Sequence, residues 1–288
     1  CNLFNLSASV NFEAKLFKEE VKSQQEAESL VASLKTAEFK VANVTSKEVK
    51  RSPYPPFTTS TLQQAASNLF GWSAKKTMQV AQNLYEAGYI SYHRTDSTNL
   101  AVEAVQTARE YIAKEYGEKF VPAEPRLYKI KSKNAQEAHE AIRPTNVQFA
   151  MDNKQSLQSS QAAGLEQSID RDQKKLYELI WKRFLACQMN ESISKQLTID
   201  INANDHIFRA NGSKVLFEGW QKLYGREEGD EERSLPELTM GEILKLLELI
   251  PSQHFTQPPP RFNEASLIKA LEEYGIGRPS TYAPIITT

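Results

Sequence analysis

Apolar and polar positions alternate loosely from Leu6 to Phe17 (Leu6, Ala8, Val10, Phe12, then Ala14 and Leu16), the two-residue period of a strand. Glu26 to Leu34 reads as a short helix and Phe39 to Val44 as another strand. Ser52-Pro53-Tyr54-Pro55-Pro56-Phe57 cannot continue regular structure, because its three prolines lack N–H donors and fix φ. A domain boundary is expected there.

The period then becomes helical. Ser60 and Gln63 have capping-box spacing, and Leu62, Ala65, Ala66, Leu69 and Phe70 follow on one face. Gly71-Trp72-Ser73 interrupts, and Ser73 can cap a second helix running to about Ala87, with Gly88 as its natural C′ residue. Tyr89 to Tyr92 looks extended. Two helices joined by a tight turn and followed by a strand predict a helix-turn-helix with a wing. A third helix is expected from Leu100 to Glu115, capped from Asp96 to Asn99 and stopped near Gly117, and a fourth from Asp172 to Cys187.

Strands return at Leu197 to Ile201, Ile207 to Ala210 and Lys214 to Phe217. Gln257-Pro258-Pro259-Pro260 marks a second boundary, beyond which Asn263 to Tyr274 is an amphipathic helix with Leu267, Ile268 and Leu271 on one face. The pattern predicts a multidomain α+β chain, in which a helical insertion interrupts a β domain and a second helical domain then begins.

Composition narrows the class. The 288 residues are 40% hydrophobic and 25% charged, as in a globular protein. No apolar run reaches membrane-span length and no signal peptide opens the chain. Cys1 and Cys187 make no disulfide framework, which points to a reducing cytoplasm. The chain starts at Cys1 without a methionine and stops after Ile285-Ile286, so it reads as part of a longer one. A net charge of −1 speaks against a basic nucleic-acid footprint. The acid is local, however. Residues 201–250 carry six basic and ten acidic side chains, most of the acid in Glu227 to Glu232, whereas 61–150 carry eleven basic and nine acidic. The acidic run itself reads as a solvated loop.

The densest polar cluster is Tyr89-Ile90-Ser91-Tyr92-His93-Arg94-Thr95-Asp96-Ser97-Thr98-Asn99. In a strand Tyr92 and Arg94 share a side, which suits a phenol nucleophile beside a bidentate phosphate clamp. Free N–H groups at the following helix start would suit an anion. An ordinary strand, a capped helix and a surface arginine fit the same spacing. His139 is not a zinc ligand of H-E-x-x-H type, since position 143 is Arg; it is either a structural histidine or a phosphate ligand. Gly275-Ile276-Gly277-Arg278-Pro279-Ser280-Thr281 offers a flexible turn, a guanidinium and hydroxyls, but not a Walker loop.

Taken together, Thr58 to Ala66, Leu84 to Asn99, Glu137 to Thr145 and Pro259 to Tyr282 closely resemble the bacterial type IA DNA topoisomerases, in order and at about their spacing. The resemblance implies that Tyr92, in the Y-x-R-T-D-S pattern, attacks a single-strand phosphodiester and stays joined to the 5′-phosphate. Arg94 would hold the scissile phosphate and His139 would lie near it. Arg278 and Thr281 match DNA-contacting residues of the adjacent domain, and Thr95 and Asp96 match the DNA-binding motif in supporting roles. Tyr89 is a neighbouring aromatic without that role, and His93 is assigned none.

The resemblance also implies a central fragment of an ATP-independent enzyme that relaxes negatively supercoiled DNA, acts on single strands, and is monomeric and cytoplasmic, associated with the nucleoid. Residues 1–57 and 192–257 would be two halves of a β-rich hinge domain. Residues 58–191 would be the helical domain carrying the nucleophile, and 258–288 the start of a helical domain contacting single-stranded DNA. In the family an acidic Mg²⁺-binding domain precedes this region. No acidic metal-binding cluster is evident here, so the chain alone is expected to be inactive in relaxation. The alternatives are a non-catalytic winged-helix DNA-binding module, in which Tyr92 merely packs, and a structural interaction domain.

Overall fold

The alternation near the N-terminus resolves into two strands rather than one, β1 (Leu3–Ser7) and β2 (Asn11–Leu16), paired antiparallel with Ser7 opposite Asn11. Both segments keep the period of two, so periodicity alone does not register the reversal. The structure is a computed structural model describing residues 3–7 (as backbone), 11–128, 139–148, 169–225 and 233–287. Cys1, Glu137, Ala138 and the acidic run 227–232 lie outside the described residues.

The fold is mixed α+β and divides into two units. The first comprises residues 1–51, 192–218 and 226–259. Its strands, completed by β3 (Phe39–Arg51), β4 (Ser192–Ala203), β5 (His206–Phe217) and β6 (Ile243–Ile250), close into an antiparallel barrel in the order β1-β2-β5-β4-β3-β6. Phe12, Phe39, Val41, Ile199, Ile201 and Phe208 fill its core, and helix α1 (Gln24–Leu34) adds Leu34. Burial of these alternate side chains is what fixes the register.

Two expectations are corrected here. The strand starting at Phe39 runs on to Arg51 because its whole length pairs with β4. Ile207 to Ala210 and Lys214 to Phe217 are one strand. Asn211-Gly212-Ser213 has turn composition, yet Gly212 sits opposite Leu197 in an unbroken ladder. A Cβ at Gly212 would stand 2.8 Å from the Arg233 carbonyl, so the glycine serves a close backbone approach rather than a turn.

The second unit comprises residues 52–191, 219–225 and 260–288. Its helices are α2 (Thr59–Phe70), α3 (Ala74–Glu86), α4 (Val102–Tyr116), α5 (Arg171–Ala186), α6 (Gln221–Tyr224), α7 (Glu264–Glu273) and α8 (Tyr282–Thr287). The long α5 buries Leu176, Tyr177, Ile180, Trp181, Phe184 and Leu185, an apolar stripe too wide for a surface helix. Its Arg183 guanidinium stands 4.4 to 4.8 Å from the ring centroids of Tyr54, Phe57 and Tyr224, a cation–π arrangement.

Helix α2 is capped two residues earlier than its sequence suggests. Thr58 and Thr61 form the reciprocal box, and the Ser60 hydroxyl instead donates to Glu272 of α7 at 2.6 Å. Gly71, at φ 66°, ends α2, and Ser73 caps α3 as expected. The wing does not form as a strand. Of Tyr89 to Tyr92, only Ile90 makes a bridge, to Pro144. Helix α4 begins at Val102, and the polar run before it is not its cap. The Ala101 N–H donates to the Glu140 carboxylate at 2.7 Å.

Candidate active site

Residues 89–99 form an extended loop between α3 and α4, and its side chains alternate without a regular sheet. Tyr92 and Arg94 are exposed, whereas His93, Thr95 and Ser97 are buried. The sequence expectation that Tyr92 and Arg94 share a side therefore holds for exposure, although the element is not a strand. The loop gains its rigidity from hydroxyls. Thr95 Oγ1 accepts from the Ser97 N–H (3.0 Å) and Ser97 Oγ from the Asn99 N–H (3.1 Å). The N–H groups of Ser97 and Asn99 are spent inside the loop and that of Ala101 goes to Glu140, so these three are not offered to an anion.

A second extended segment, 139–148, lies along this loop. Ser91 N–H donates to the Arg143 carbonyl (2.8 Å), Arg143 N–H to Ser91 Oγ (2.9 Å), and Ser91 Oγ to the Ala141 carbonyl (2.7 Å). Ala141 N–H reaches the Asn99 carbonyl and Thr145 N–H the Tyr89 carbonyl. This stitching carries His139 to Tyr92, 47 positions away in sequence. The two rings meet edge to face with centroids 6.4 Å apart.

Tyr92 is 45% exposed, and its ring also packs edge-on against Tyr85 (5.3 Å) and His93 (5.4 Å). Held by carbon contacts on its sides, the phenol keeps an open outer edge. Tyr89, three residues earlier, is half-buried, packs edge-on against Tyr177 and lends its carbonyl to Thr145. His93 is fully buried with neither ring nitrogen hydrogen-bonded. Burial, then the Arg94 charge, lower its pKa to about 4 against a smaller opposing effect of Glu86, so it is a neutral packing ring at pH 7.

Two guanidiniums lie near this site, in different states. Arg143 is engaged, its Nε donating to Glu140 at 2.6 Å and Nη1 to the Pro144 carbonyl at 3.1 Å. Arg94 is exposed and makes no hydrogen bond or ion pair among the described residues. It is the cation available to an incoming phosphate. Arg278 and Thr281 lie exposed in the turn before α8, bonded to each other through Arg278 N–H and Thr281 Oγ1 at 2.7 Å. Among the described residues neither touches Tyr92, Arg94 or His139. Tyr282, buried, opens α8 just after them. Burial and Glu272 raise its phenol pKa, Arg278 opposes, and Asp96 adds to the rise.

Sequence reading missed Thr59, Ser91 and Tyr85. Thr59 and Ser91 act through backbone partners far away in the chain, which leave no periodic trace. Tyr85 was visible only as a residue on one helical face.

Among the described residues no three His, Cys, Asp or Glu side chains are grouped to hold a metal ion, and no helix is long and apolar enough to cross a membrane.

A DNA topoisomerase family model matches residues 2–288. DNA topoisomerase 1 of Rickettsia bellii is 47% identical over 287 residues, covering 95% of this chain and 34% of that protein. DNA topoisomerase 1 of Vibrio cholerae is 46% identical over 266 residues, covering 92% and 29% respectively. Full-length topoisomerase I from Thermotoga maritima superposes with a TM-score of 0.79 at 33% identity, covering 99% of this chain and 46% of that one. The chain thus spans about a third of the length of the curated relatives it matches. With the family model matched along nearly its whole length, this chain belongs to the bacterial type IA DNA topoisomerases.

Proposed function

We propose that this chain is the nucleophile-bearing part of an enzyme that relaxes negatively supercoiled DNA without ATP, by cutting and resealing one strand. The observation that carries this reading is the exposed Tyr92 phenol, set against His139 and on the same exposed side of its loop as Arg94, which has no ion pair among the described residues.

The Tyr92 oxygen attacks phosphorus, forming the tyrosine–phosphate bond as the bond to the 3′-oxygen breaks. The phenol proton leaves to water or a base, and the 3′-oxygen takes a proton from water or an acid as it departs as a hydroxyl. Bond energy is kept in the 5′-phosphotyrosine, so attack by the same 3′-hydroxyl reseals the strand without a nucleotide. A free phenol has a pKa near 10, so the proton must be lost as attack proceeds. Arg94 would neutralise charge building on the phosphate oxygens, where a fixed guanidinium is most effective. His139 would sit beside the reacting oxygen. Thr95 is buried and its hydroxyl engaged, so we assign it and Asp96 to loop geometry; Arg278 and Thr281 are assigned to strand binding.

We assign the segments 1–57 and 192–257, which include the barrel strands, to a hinge, 58–191 to the nucleophile-bearing domain, and 258–288 to the single-strand contact. The complete enzyme would draw Mg²⁺ from acidic residues outside this chain, act as a monomer, and work in the cytoplasm on the nucleoid. These assignments rest on family membership.

The test is adduct trapping on single-stranded DNA with the complete protein. Tyr92→Phe is expected to abolish the covalent adduct and Tyr89→Phe to keep it, and the reverse would move the nucleophile. Normal DNA binding with no adduct in the unmodified protein would favour the non-catalytic winged-helix reading.

A further inference from the structure

We infer that Thr59 is a positioning residue for Arg94, fixing the backbone on both sides of the phosphate-binding arginine; this rests on the assignment of Arg94 above.

Arg94 has no side-chain partner of its own among the described residues, so its direction is set by its backbone. That backbone is gripped by one buried hydroxyl. Thr59 Oγ1 donates to the His93 carbonyl at 2.8 Å and, more weakly, to the Thr95 carbonyl at 3.1 Å. The same oxygen accepts from the Thr95 N–H at 2.9 Å. The Thr59 N–H donates to the Thr95 carbonyl at 2.9 Å. Both residues flanking Arg94 are therefore fastened to the first turn of α2, and Thr59 is 0% exposed.

The anchor is itself held. Thr58 caps α2 with Thr61, so the helix end bearing Thr59 does not fray. From Thr95 the hydroxyl chain passes through Ser97 to Asn99, whose carbonyl takes the Ala141 N–H two residues beyond His139. A shift at Thr59 is thus taken up at Arg94, because the segment bearing His139 keeps its own bonds to Ser91 and Asn99. A threonine placed only for packing would need its methyl group but not this oxygen, which reaches three backbone atoms at once. Valine has the same shape without the oxygen. It would leave the Thr95 N–H without its acceptor and free the His93 carbonyl.

The experiment is the single-turnover rate of adduct formation on single-stranded DNA by the complete enzyme. Thr59→Val is expected to slow it by about 10- to 100-fold, the scale of a sub-ångström to ångström misplacement of a reacting group. Thr59→Ser, which keeps the oxygen, is expected to recover most of the rate. In an Arg94→Ala background Thr59→Val is expected to cost nothing further, because the residue acts through the arginine. Thr59→Cys, a weak donor and acceptor, replaces valine in the same cycle if that variant does not fold. A wild-type rate in Thr59→Val, a failure of serine to restore it, or independent losses in the double variant would each overturn the inference. Tyr92→Phe separates the two claims. If it still forms adduct, the assignment of the site fails; if it does not while Thr59→Val is unaffected, only the role of Thr59 fails.

Discussion

Ser91 and Arg143 exchange two hydrogen bonds, backbone to backbone at 2.8 Å and Arg143 N–H to the Ser91 hydroxyl at 2.9 Å. The Ser91 hydroxyl also donates to the Ala141 carbonyl, so one small side chain beside Tyr92 fastens the segment carrying His139. Ser91→Ala is expected to slow adduct formation by roughly tenfold and to destabilise the unit by about 1–2 kcal/mol. Ser91→Thr, which retains the oxygen, is expected to lose much less. Adduct rates and denaturant midpoints on the three proteins check this.

Glu140 stands in for a helix cap, accepting from Ala101 N–H at the start of α4 while it holds Arg143. Glu140→Ala is expected to cost about 1–2 kcal/mol through the lost cap and the released guanidinium. Chemical denaturation measures it, and amide exchange would show the first turn of α4 opening first.

His93 makes stability depend on pH. Its pKa of about 4 in the folded chain lies below the ordinary 6.5, so the unfolded chain binds the extra proton between those values. Its contribution is complete above pH 6.5 and is lost as pH falls from 6.5 towards 4, by up to about 3 kcal/mol. His93→Met is expected to flatten that part of the curve. Denaturant melts at pH 7, 5.5 and 4 on both proteins read the difference, with the carboxylates titrating alike in each.

Two carboxylates of α7 reach the helices bearing the site's framework: Glu272 accepts from Ser60 and Glu264 from the Ala74 N–H. Removing both (Glu264→Ala with Glu272→Ala) is expected to loosen residues 260–287. Limited proteolysis would then cut this stretch well before the rest of the unit.

These 288 residues alone, supplied with Mg²⁺, are expected not to relax supercoiled plasmid. Gel mobility of the plasmid after incubation decides the matter, and ladder formation would overturn the expectation.

What the sequence disclosed was local. Ser73 starts a helix through its own hydroxyl, Gly71 and Gly117 end helices through their backbone freedom, and the apolar stripe of α5 is legible in its spacing. Tyr92 and Arg94 stood out by motif. The reversal between β1 and β2, the continuity of β5 through Gly212 and the handing of the α4 cap to Glu140 all depend on partners distant in the chain. Periodicity carries no information about those partners. The same limit hid Thr59 and Ser91, whose importance lies in which carbonyls their oxygens meet.

The barrel has a mechanical corollary. Arg51, the last residue of β3, pairs with Ser192, the first of β4, so the stretch 52–191 leaves and returns on one rung of a long antiparallel ladder. Tension drawn equally on both ends would be carried along the two strands as a single ribbon, with no shear across the rungs between them. Drawing the two ends apart would peel the same rungs one at a time, starting at Arg51. The joint therefore tolerates a movement that carries both ends together and yields to one that parts them.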